Sequence, residues 1–250
     1  MFEAIRKAGL VINLGKCEFA QAQVTYLGHK VGNGKVLPKK SKIEAILAFP
    51  SPRTKKAVRQ FLGMCGFYRK FVPRYSEITF SLTELLKGKS NFAWSADCEL
   101  AFNKLKAILS SSPILKSPDF NKPFLLMTDA SDFGVGAVLM QEDDLQNQLP
   151  IAYFSKKLNE SQRKYSTVEK ETLALLLSLR HFEVYATSGV TPLKVFSDHN
   201  PIKFLQRFGN KNRRLANWSL ILQEYNFDIE HIKGKDNVIA DSLSRNFESY

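Results

Sequence analysis

FLLMTDASDFGVGAVLMQ, residues 124–141, is the stretch that most restricts the fold of this chain. Its first part, FLLMT, is a strand-length apolar run, and a second apolar run, GVGAVLMQ (134–141), follows after a few turn-forming residues. Asp129 comes directly after the first run, where a buried strand would end. The stretch therefore predicts two consecutive strands, with a carboxylate at the end of the first.

The rest of the C-terminal half continues this pattern. Residues 150–157, 193–198 and 227–232 are three more strand-length runs, and an amphipathic helix is predicted over residues 162–185. Further helices are predicted over residues 201–207, 213–225 and 237–244. This order of elements predicts the α/β (α+β) class, with a mixed five-stranded sheet and flanking helices.

The N-terminal half is predicted to be mainly helical. A short helix is expected over residues 1–15, a hairpin turning at Gly32–Gly34 over residues 23–37, and a series of helices from Pro38 onwards, the last beginning after Ser95. The Ser- and Pro-rich stretch that follows predicts a linker. We divide the chain into an N-terminal hairpin segment, a small helical domain, a linker and a sheet domain: residues 1–37, 38–110, 111–122 and 123–246.

The net charge of +12 is carried entirely by the N-terminal half. Residues 1–120 contain 20 Lys and Arg against 8 Asp and Glu, whereas residues 121–250 contain 16 of each. This asymmetry predicts a polyanion-binding module joined to a module with another task. No apolar run of about 18 residues is present, so no membrane span is expected. The three cysteines have no metal or disulfide spacing, which favours a reducing compartment.

Four carboxylates occupy positions where an acid is costly. Asp129 and Asp198 follow apolar strands, Glu171 begins the apolar run of the long helix, and Asp241 lies between apolar residues of the last helix. A buried carboxylate is unfavourable unless it is paired or bound to a metal. Four such groups together would bind hard cations such as Mg²⁺, and two ions can hydrolyse a phosphodiester. For any single acid, a helix cap or a loop position is the ordinary alternative.

Five segments of the C-terminal half form a recognisable set. They are TDASDFGVGAVLMQ (128–141), PIAYFSKKLN (150–159), YSTVEKETLALLLSL (165–179), FSDHNPIKFL (196–205) and GKDNVIADSLSR (234–245). Together they resemble the ribonuclease H domain of gypsy-type long-terminal-repeat retrotransposon Pol polyproteins. The resemblance implies a ribonuclease H-like fold that cuts the RNA strand of an RNA–DNA hybrid with two Mg²⁺ ions, for which Mn²⁺ is an expected substitute.

The same resemblance implies which residues act. Its metal ligands would be Asp129, Glu171, Asp198 and Asp241, with Asp129 shared between the ions. Glu169 is the rival to Glu171, which we favour because it stands directly before the apolar helical run. Asp132 is the rival to Asp129, but it falls in the predicted turn. The accessory candidates are His199, which has a capping alternative, and His231, which falls in a predicted strand.

Three segments of the N-terminal half resemble the end of the reverse transcriptase of the same polyproteins. LVINLGKCEF (10–19) is similar to the last palm helix, TYLGHKV (25–31) to the primer-grip hairpin, and AVRQFLGMCGFYRKFVPRYS (57–76) to the thumb. The resemblance implies nucleic-acid contacts through the hairpin, one face of the thumb helix and nearby cations. These candidates are Tyr26, Gly28, Lys55, Lys56, Arg59, Gly63, Phe67, Lys70 and Arg74. For Phe67, a place in the core of the helical domain stays open as the alternative.

The polymerase of this family carries its metal-binding aspartates in a Tyr-x-Asp-Asp turn, which this chain lacks. We therefore expect an endoribonuclease without DNA synthesis, formed by the C-terminal part of a retrotransposon Pol polyprotein or by a gene descended from one. Its expected partners are an RNA–DNA hybrid and other parts of Pol. Cytoplasm, virus-like particle and nucleus all fit a basic intracellular protein. The alternative is a non-catalytic nucleic-acid-binding remnant. An integrase-like nuclease is disfavoured because its zinc-binding His/Cys module is absent.

Overall fold

A computed structural model describes residues 2–13, 15, 17, 19–88, 92–111, 113–188, 191–197 and 213–231. After a short helix α1 (Phe2–Lys7), the described chain forms a small N-terminal sheet, a helical block with helices between Lys40 and Ser110, and a sheet domain whose first strand begins at Leu125. No helix within these ranges is long and apolar enough to cross a membrane.

The N-terminal sheet has more strands than the sequence predicts. Its strands, all antiparallel to their neighbours, are β1 (Gln23–Tyr26), β2 (His29–Gly32), β3 (Lys35–Pro38) and β4 (Leu115–Lys116). The expected turn is present at Asn33-Gly34, where both residues have positive φ angles, as two-residue hairpin turns require. A second tight turn at Leu27-Gly28 divides the first predicted strand in two. The predicted linker supplies β4, because Leu115 is buried against the helical block.

The helical block is built from short helices around one apolar cluster. Its helices are α2 (Lys40–Leu47), α3 (Lys55–Phe67), a 3₁₀ turn (Arg69–Phe71), α4 (Tyr75–Ile78), α5 (Phe80–Glu84) and α6 (Ala96–Ser110). Thr54 caps α3 by accepting a hydrogen bond from the Ala57 N–H, and Ser95 caps α6 in the same way from the Cys98 N–H. The predicted start of α6 is therefore correct.

The sheet domain contains a mixed five-stranded sheet in the order β7-β6-β5-β8-β9. Its strands are β5 (Leu125–Ala130), β6 (Gly134–Glu142), β7 (Gln148–Lys157), β8 (Leu193–Ser197) and β9 (Phe227–His231). The first three strands pair antiparallel, whereas β8 is parallel to both β5 and β9. The predicted five-stranded mixed sheet is confirmed, and β5 lies at its centre.

The helix predicted over residues 162–185 is three helices. They are α7 (Glu160–Arg163), α8 (Thr167–His181) and α9 (Glu183–Ser188), and α10 (Arg213–Gln223) follows later. Helices α7 and α8 are separate because Ser166 begins a new helix with a capping box, as Asn159 does at the start of α7. Helix α8 packs its apolar side on β5 and β6, and the predicted helices over residues 201–207 and 237–244 lie outside the described residues.

The helical block and the sheet domain are packed against each other along β7. Ser155 of β7 accepts a hydrogen bond from the Ser76 N–H through its hydroxyl, at 2.9 Å, and its carbonyl accepts one from Arg69. Tyr153, two residues earlier, packs against apolar side chains of both units. Phe80 of α5 meets Phe133 of the sheet domain edge to face at 5.0 Å. The two units therefore form one continuous packed body through these contacts.

The turn between β1 and β2 docks on the end of α3 through His29. Its ring stacks on Phe67 at 5.3 Å and on Phe71 at 5.7 Å, and the Tyr68 hydroxyl donates a hydrogen bond to the Gly28 carbonyl at 2.8 Å. Gly28 has a φ of +77°, and a Cβ atom there would lie 2.9 Å from the Phe67 ring. A side chain at this position would therefore be strained by the positive φ and would press against the Phe67 ring.

A core substitution in the central strand tests this arrangement of the sheet domain. Leu126 of β5 is fully buried in the main apolar cluster, so Leu126→Ala should lower the free energy of unfolding by about 2–5 kcal/mol. The exposed Leu220 of α10 is the control, and Leu220→Ala should change it by less than about 0.5 kcal/mol. Urea unfolding measures both. Equal losses for the two variants would contradict the described core.

A pH titration tests the docking of the N-terminal turn. Burial and the charge of Lys70 lower the pKa of His29 below 6.5, and the hydrogen bond with the Leu27 carbonyl only partly offsets them. The neutral ring is therefore favoured in the folded state, and the stability that it contributes is present above pH 6.5 and is lost as the pH falls through the lowered pKa.

Between about pH 7.5 and about pH 5.5, wild type should therefore lose more unfolding free energy than His29→Phe, which keeps the aromatic contacts but cannot be protonated. Urea unfolding at both pH values measures the difference. Equal losses of unfolding free energy in the two proteins would show that protonation of His29 does not weaken the docking of the turn.

Candidate active site and nucleic-acid interface

Asp129 lies near the end of the central strand β5. It pairs with Gly136 of the antiparallel strand β6, and two residues earlier Met127 pairs with Phe196 of the parallel strand β8. The apolar residues before Asp129 are buried, whereas its own side chain is 42% exposed. Strand β5 thus begins in the buried core and ends where the Asp129 carboxylate is partly exposed to solvent.

Glu171 lies in the first half of α8, on the side of the helix that faces the sheet. Its side chain is nearly buried, with 5% of the residue exposed, and its Oε1 atom accepts a hydrogen bond from the Ala130 N–H at 3.2 Å. Ala130 directly follows Asp129, so the two carboxylates are held at the same end of β5. A charge this deeply buried requires compensation from its surroundings.

The two rival acids have other roles in the structure. Glu169 completes the capping box of α8 with Ser166 and forms an ion pair with Arg214. Burial alone would raise the pKa of Glu169, but the hydrogen bonds from Ser166 and Arg214 outweigh this effect and lower it. Asp132 is 82% exposed and pairs with Lys170 at 2.6 Å. Both acids thus have structural partners of their own.

The other expected site residues come after β8 and at or after the end of β9 in the chain. Asp198, Asp241 and His199 lie outside the described residues, and for His231 only the backbone is described, where it pairs with Ser197 at the end of β9. Within the described ranges, no three His, Cys, Asp or Glu side chains come together as a metal site. Asp129 and Glu171 supply the hard oxygen atoms that Mg²⁺ prefers, so the described part of the site fits this ion chemically.

Sequence reasoning missed a contact between the helical block and this site. Arg74, one of the candidate phosphate contacts, turns towards the sheet domain, where its Nη1 atom lies 3.6 Å from Asp129 Oδ2. It also pairs with Glu77, whose Oε1 atom accepts a hydrogen bond from the Ser131 hydroxyl at 2.8 Å. No sequence signal identifies Glu77 or Ser131, because the contact joins residues more than fifty positions apart in the chain.

Helix α3 presents a basic face opposite its buried one. Val58, Phe61 and Cys65 face the apolar cluster, whereas the opposite side is exposed and carries Arg59 and Gly63. A Cβ atom at Gly63 would meet nothing within 4 Å, so a large ligand can approach the backbone closely there. The sequence pattern of this helix therefore placed its buried and exposed faces correctly.

The other predicted nucleic-acid contacts are divided between surface and interior. Tyr26 and Lys56 are exposed, whereas the Lys55 ammonium donates to the Gly88 carbonyl at 3.1 Å and Lys70 is partly buried, which lowers its pKa. Phe67 is 54% exposed although it also stacks on His29. Phe67 therefore serves the docking of the N-terminal turn and still offers a free ring face.

Comparison with known proteins shows what this chain is similar to. Residues 94–195 match the model of the RNase H-like domain found in reverse transcriptase. The match includes Asp129 and Glu171 and ends before Asp198. Two polyproteins of the Schizosaccharomyces pombe transposons Tf2-3 and Tf2-4 are each 38% identical to this chain over 247 residues, which is 98% of the chain. The chain spans only 18% of the length of each polyprotein.

Solved structures share the fold at lower identity. The foamy viral protease-reverse transcriptase in complex with RNA/DNA hybrid superposes with a TM-score of 0.77 at 22% identity, covering 93% of this chain and 32% of that one. The same enzyme in complex with dsDNA gives a TM-score of 0.73 at 23% identity, covering 93% and 49%. Over nearly its whole length the chain is thus similar to transposon polyproteins and has the fold of a reverse transcriptase segment, and its residues 94–195 match the RNase H-like domain of such enzymes.

Proposed function

We propose that this chain is an endoribonuclease that hydrolyses the RNA strand of RNA–DNA hybrids as part of a retrotransposon reverse transcriptase of the gypsy type. The observation that carries the proposal is the pair of carboxylates at the end of β5. Glu171 is nearly buried and accepts a hydrogen bond from the residue that follows Asp129. Burying an acid is costly unless it is compensated, and a bound divalent cation is one such compensation.

The proposed ligands are Asp129, Glu171, Asp198 and Asp241, which would hold two Mg²⁺ ions, with Mn²⁺ as a substitute. Asp198 is bonded to Ser197, the last residue of β8, and β8 pairs with β5 in parallel. When bound, such ions activate a water and stabilise the leaving oxygen of a phosphodiester.

The protein's own contribution is to hold these carboxylates in place. The N–H group of Ala130 restricts rotation of the Glu171 carboxylate, and the packing of α8 on the sheet prevents its withdrawal into solvent. The Asp129 side chain is 42% exposed, so a cation that it held would be open to a phosphate group of the substrate. His199 and His231 stay candidates for an accessory role.

Hybrid binding would involve both units. The exposed face of α3, with Arg59, Gly63 and Phe67, offers charge, close approach and an apolar ring to a minor groove, in which RNA displays its 2′-hydroxyl groups. A related fold, the foamy viral protease-reverse transcriptase, has been solved with an RNA/DNA hybrid, which supports the proposal. Other parts of a Pol polyprotein are the proposed protein partners. A non-catalytic remnant is not favoured, because Asp129, Glu171, Asp198 and Asp241 are all retained.

Cleavage of an end-labelled RNA–DNA hybrid with Mg²⁺ tests the activity. Wild type should cut the RNA strand and leave double-stranded DNA intact. Glu171→Gln and Asp198→Asn should each reduce the rate by more than the roughly 10- to 100-fold that is typical for a metal site's outer-shell partners.

Glu169→Gln is the matched control, since it changes the neighbouring acid of the same helix and should retain cleavage within about tenfold of wild type. Tight, salt-sensitive binding of the hybrid without any cleavage would instead establish the binding remnant. A larger loss in Glu169→Gln than in Glu171→Gln would reverse the assignment of the two acids.

A salt titration of hybrid binding tests the role of the helical block. If the Arg59 guanidinium meets a phosphate, Arg59→Gln should weaken binding and reduce the slope of log K against log salt by about 1. Arg6→Gln removes an equally exposed cation from α1 and should leave the slope unchanged. Fluorescence anisotropy measures both slopes. Identical effects of the two substitutions would exclude a specific contact through α3.

A further inference from the structure

A cation of the helical block lies directly against the candidate active site. The Nη1 atom of Arg74 is 3.6 Å from Oδ2 of Asp129, and the Arg74 side chain is only 28% exposed. A partly buried guanidinium at this distance attracts the carboxylate more strongly than a surface lysine would. Asp129 therefore already has a positive charge beside it that belongs to the other unit of the protein.

Arg74 is held in this position by its own unit and by the sheet domain. Its Nε and Nη2 atoms pair with the two carboxylate oxygens of Glu77 at 2.7 and 2.9 Å, and Glu77 accepts a hydrogen bond from Ser131, in the turn after β5. Burial alone would lower the pKa of Arg74, but its bond to Glu77 and the charges of Glu77 and Asp129 raise it. The guanidinium is thus bound on two sides.

The backbone around Arg74 is adapted to this contact. Arg74 has a φ of +48°, a left-handed conformation that is unfavourable for residues other than glycine. Both glycines of β6 lie against this segment: a Cβ atom at Gly136 would be in ordinary contact with the Arg74 side chain at 3.9 Å, and one at Gly134 would crowd the Ser76 hydroxyl at 3.1 Å. The segment that carries Arg74 therefore rests directly on the strand opposite Asp129.

We propose that Arg74 is a positioning residue of the nuclease site, which holds the Asp129 carboxylate and competes with a divalent cation for it. Glu77 limits this competition, because its own carboxylate pairs with the Arg74 guanidinium and so weakens the attraction between Arg74 and Asp129. The inference rests on the proposed role of Asp129 as a metal ligand. It makes the affinity of the sheet domain for metal depend on how the helical block is seated.

Isothermal titration of the full chain with Mn²⁺ alone tests this inference without any cleavage reaction. Arg74→Gln removes the competing charge and should bind Mn²⁺ about three- to tenfold more tightly than wild type. Glu77→Gln leaves the guanidinium free to pair more closely with Asp129, so this variant should bind Mn²⁺ about threefold more weakly than wild type. Arg74→Lys keeps a cation at this place and should stay within about twofold of wild type. Asp129→Asn identifies the part of the signal that comes from this site.

Lys157→Gln is the matched control. Lys157 of β7 forms an ion pair with Glu84 of α5, so its substitution weakens the contact between the same two units without touching Asp129. It should leave the Mn²⁺ affinity unchanged. Tighter binding in Arg74→Gln together with weaker binding in Glu77→Gln supports the inference.

Three results would overturn it. The first is an unchanged Mn²⁺ affinity in both Arg74→Gln and Glu77→Gln. The second is an equal gain of Mn²⁺ affinity in Arg74→Gln and Lys157→Gln. The third is that neither wild type nor Arg74→Gln shows Mn²⁺ binding that depends on Asp129. If wild type cleaves the hybrid but Arg74→Gln binds Mn²⁺ with the same affinity as wild type, this inference alone is refuted. Opposite shifts in Arg74→Gln and Glu77→Gln without cleavage by any of the proteins would refute the proposed function alone.

Discussion

The hydrogen bond from the Ala130 N–H to the Glu171 carboxylate is the constraint on which the candidate site depends. It joins the end of the central strand to the helix that covers the sheet, and it does so with an acid that is nearly buried. Apolar packing on both sides of this bond keeps the strand and the helix from separating. A buried charge is thereby held at one end of the sheet, beside the more exposed Asp129, where a hard cation could offset its cost.

The packing of the helical block on β7 gives this site a second set of neighbours. Ser155 receives hydrogen bonds from the block, and Arg74 reaches past it to Asp129. The block therefore combines two roles in one small unit. Its α3 face is free and basic, whereas its α4 end contacts the carboxylate site, so a ligand that shifts the block would also change the surroundings of Asp129.

Local sequence signals predicted most of the secondary structure. The alternation of apolar runs with turn residues predicted all five strands of the main sheet, and the cap at Ser95 predicted the start of α6. The interrupted helix after residue 160 shows the limit of this reasoning: Ser166 and Glu169 form a capping box that begins a new helix, and the prediction of one helix over residues 162–185 did not use this local signal. Strand β4 was missed because two residues carry too little pattern to identify a strand.

The sequence by itself determined the fold class and the identity of the candidate acids, because strand and helix periodicity and the position of an acid beside an apolar run are local properties. Only the tertiary structure decided that Glu171 is tied to the end of β5 while Glu169 caps a helix. It also decided that Arg74 faces Asp129 and not solvent. Contacts of this kind join residues far apart in the chain, and their geometry arises only when the two units pack against each other.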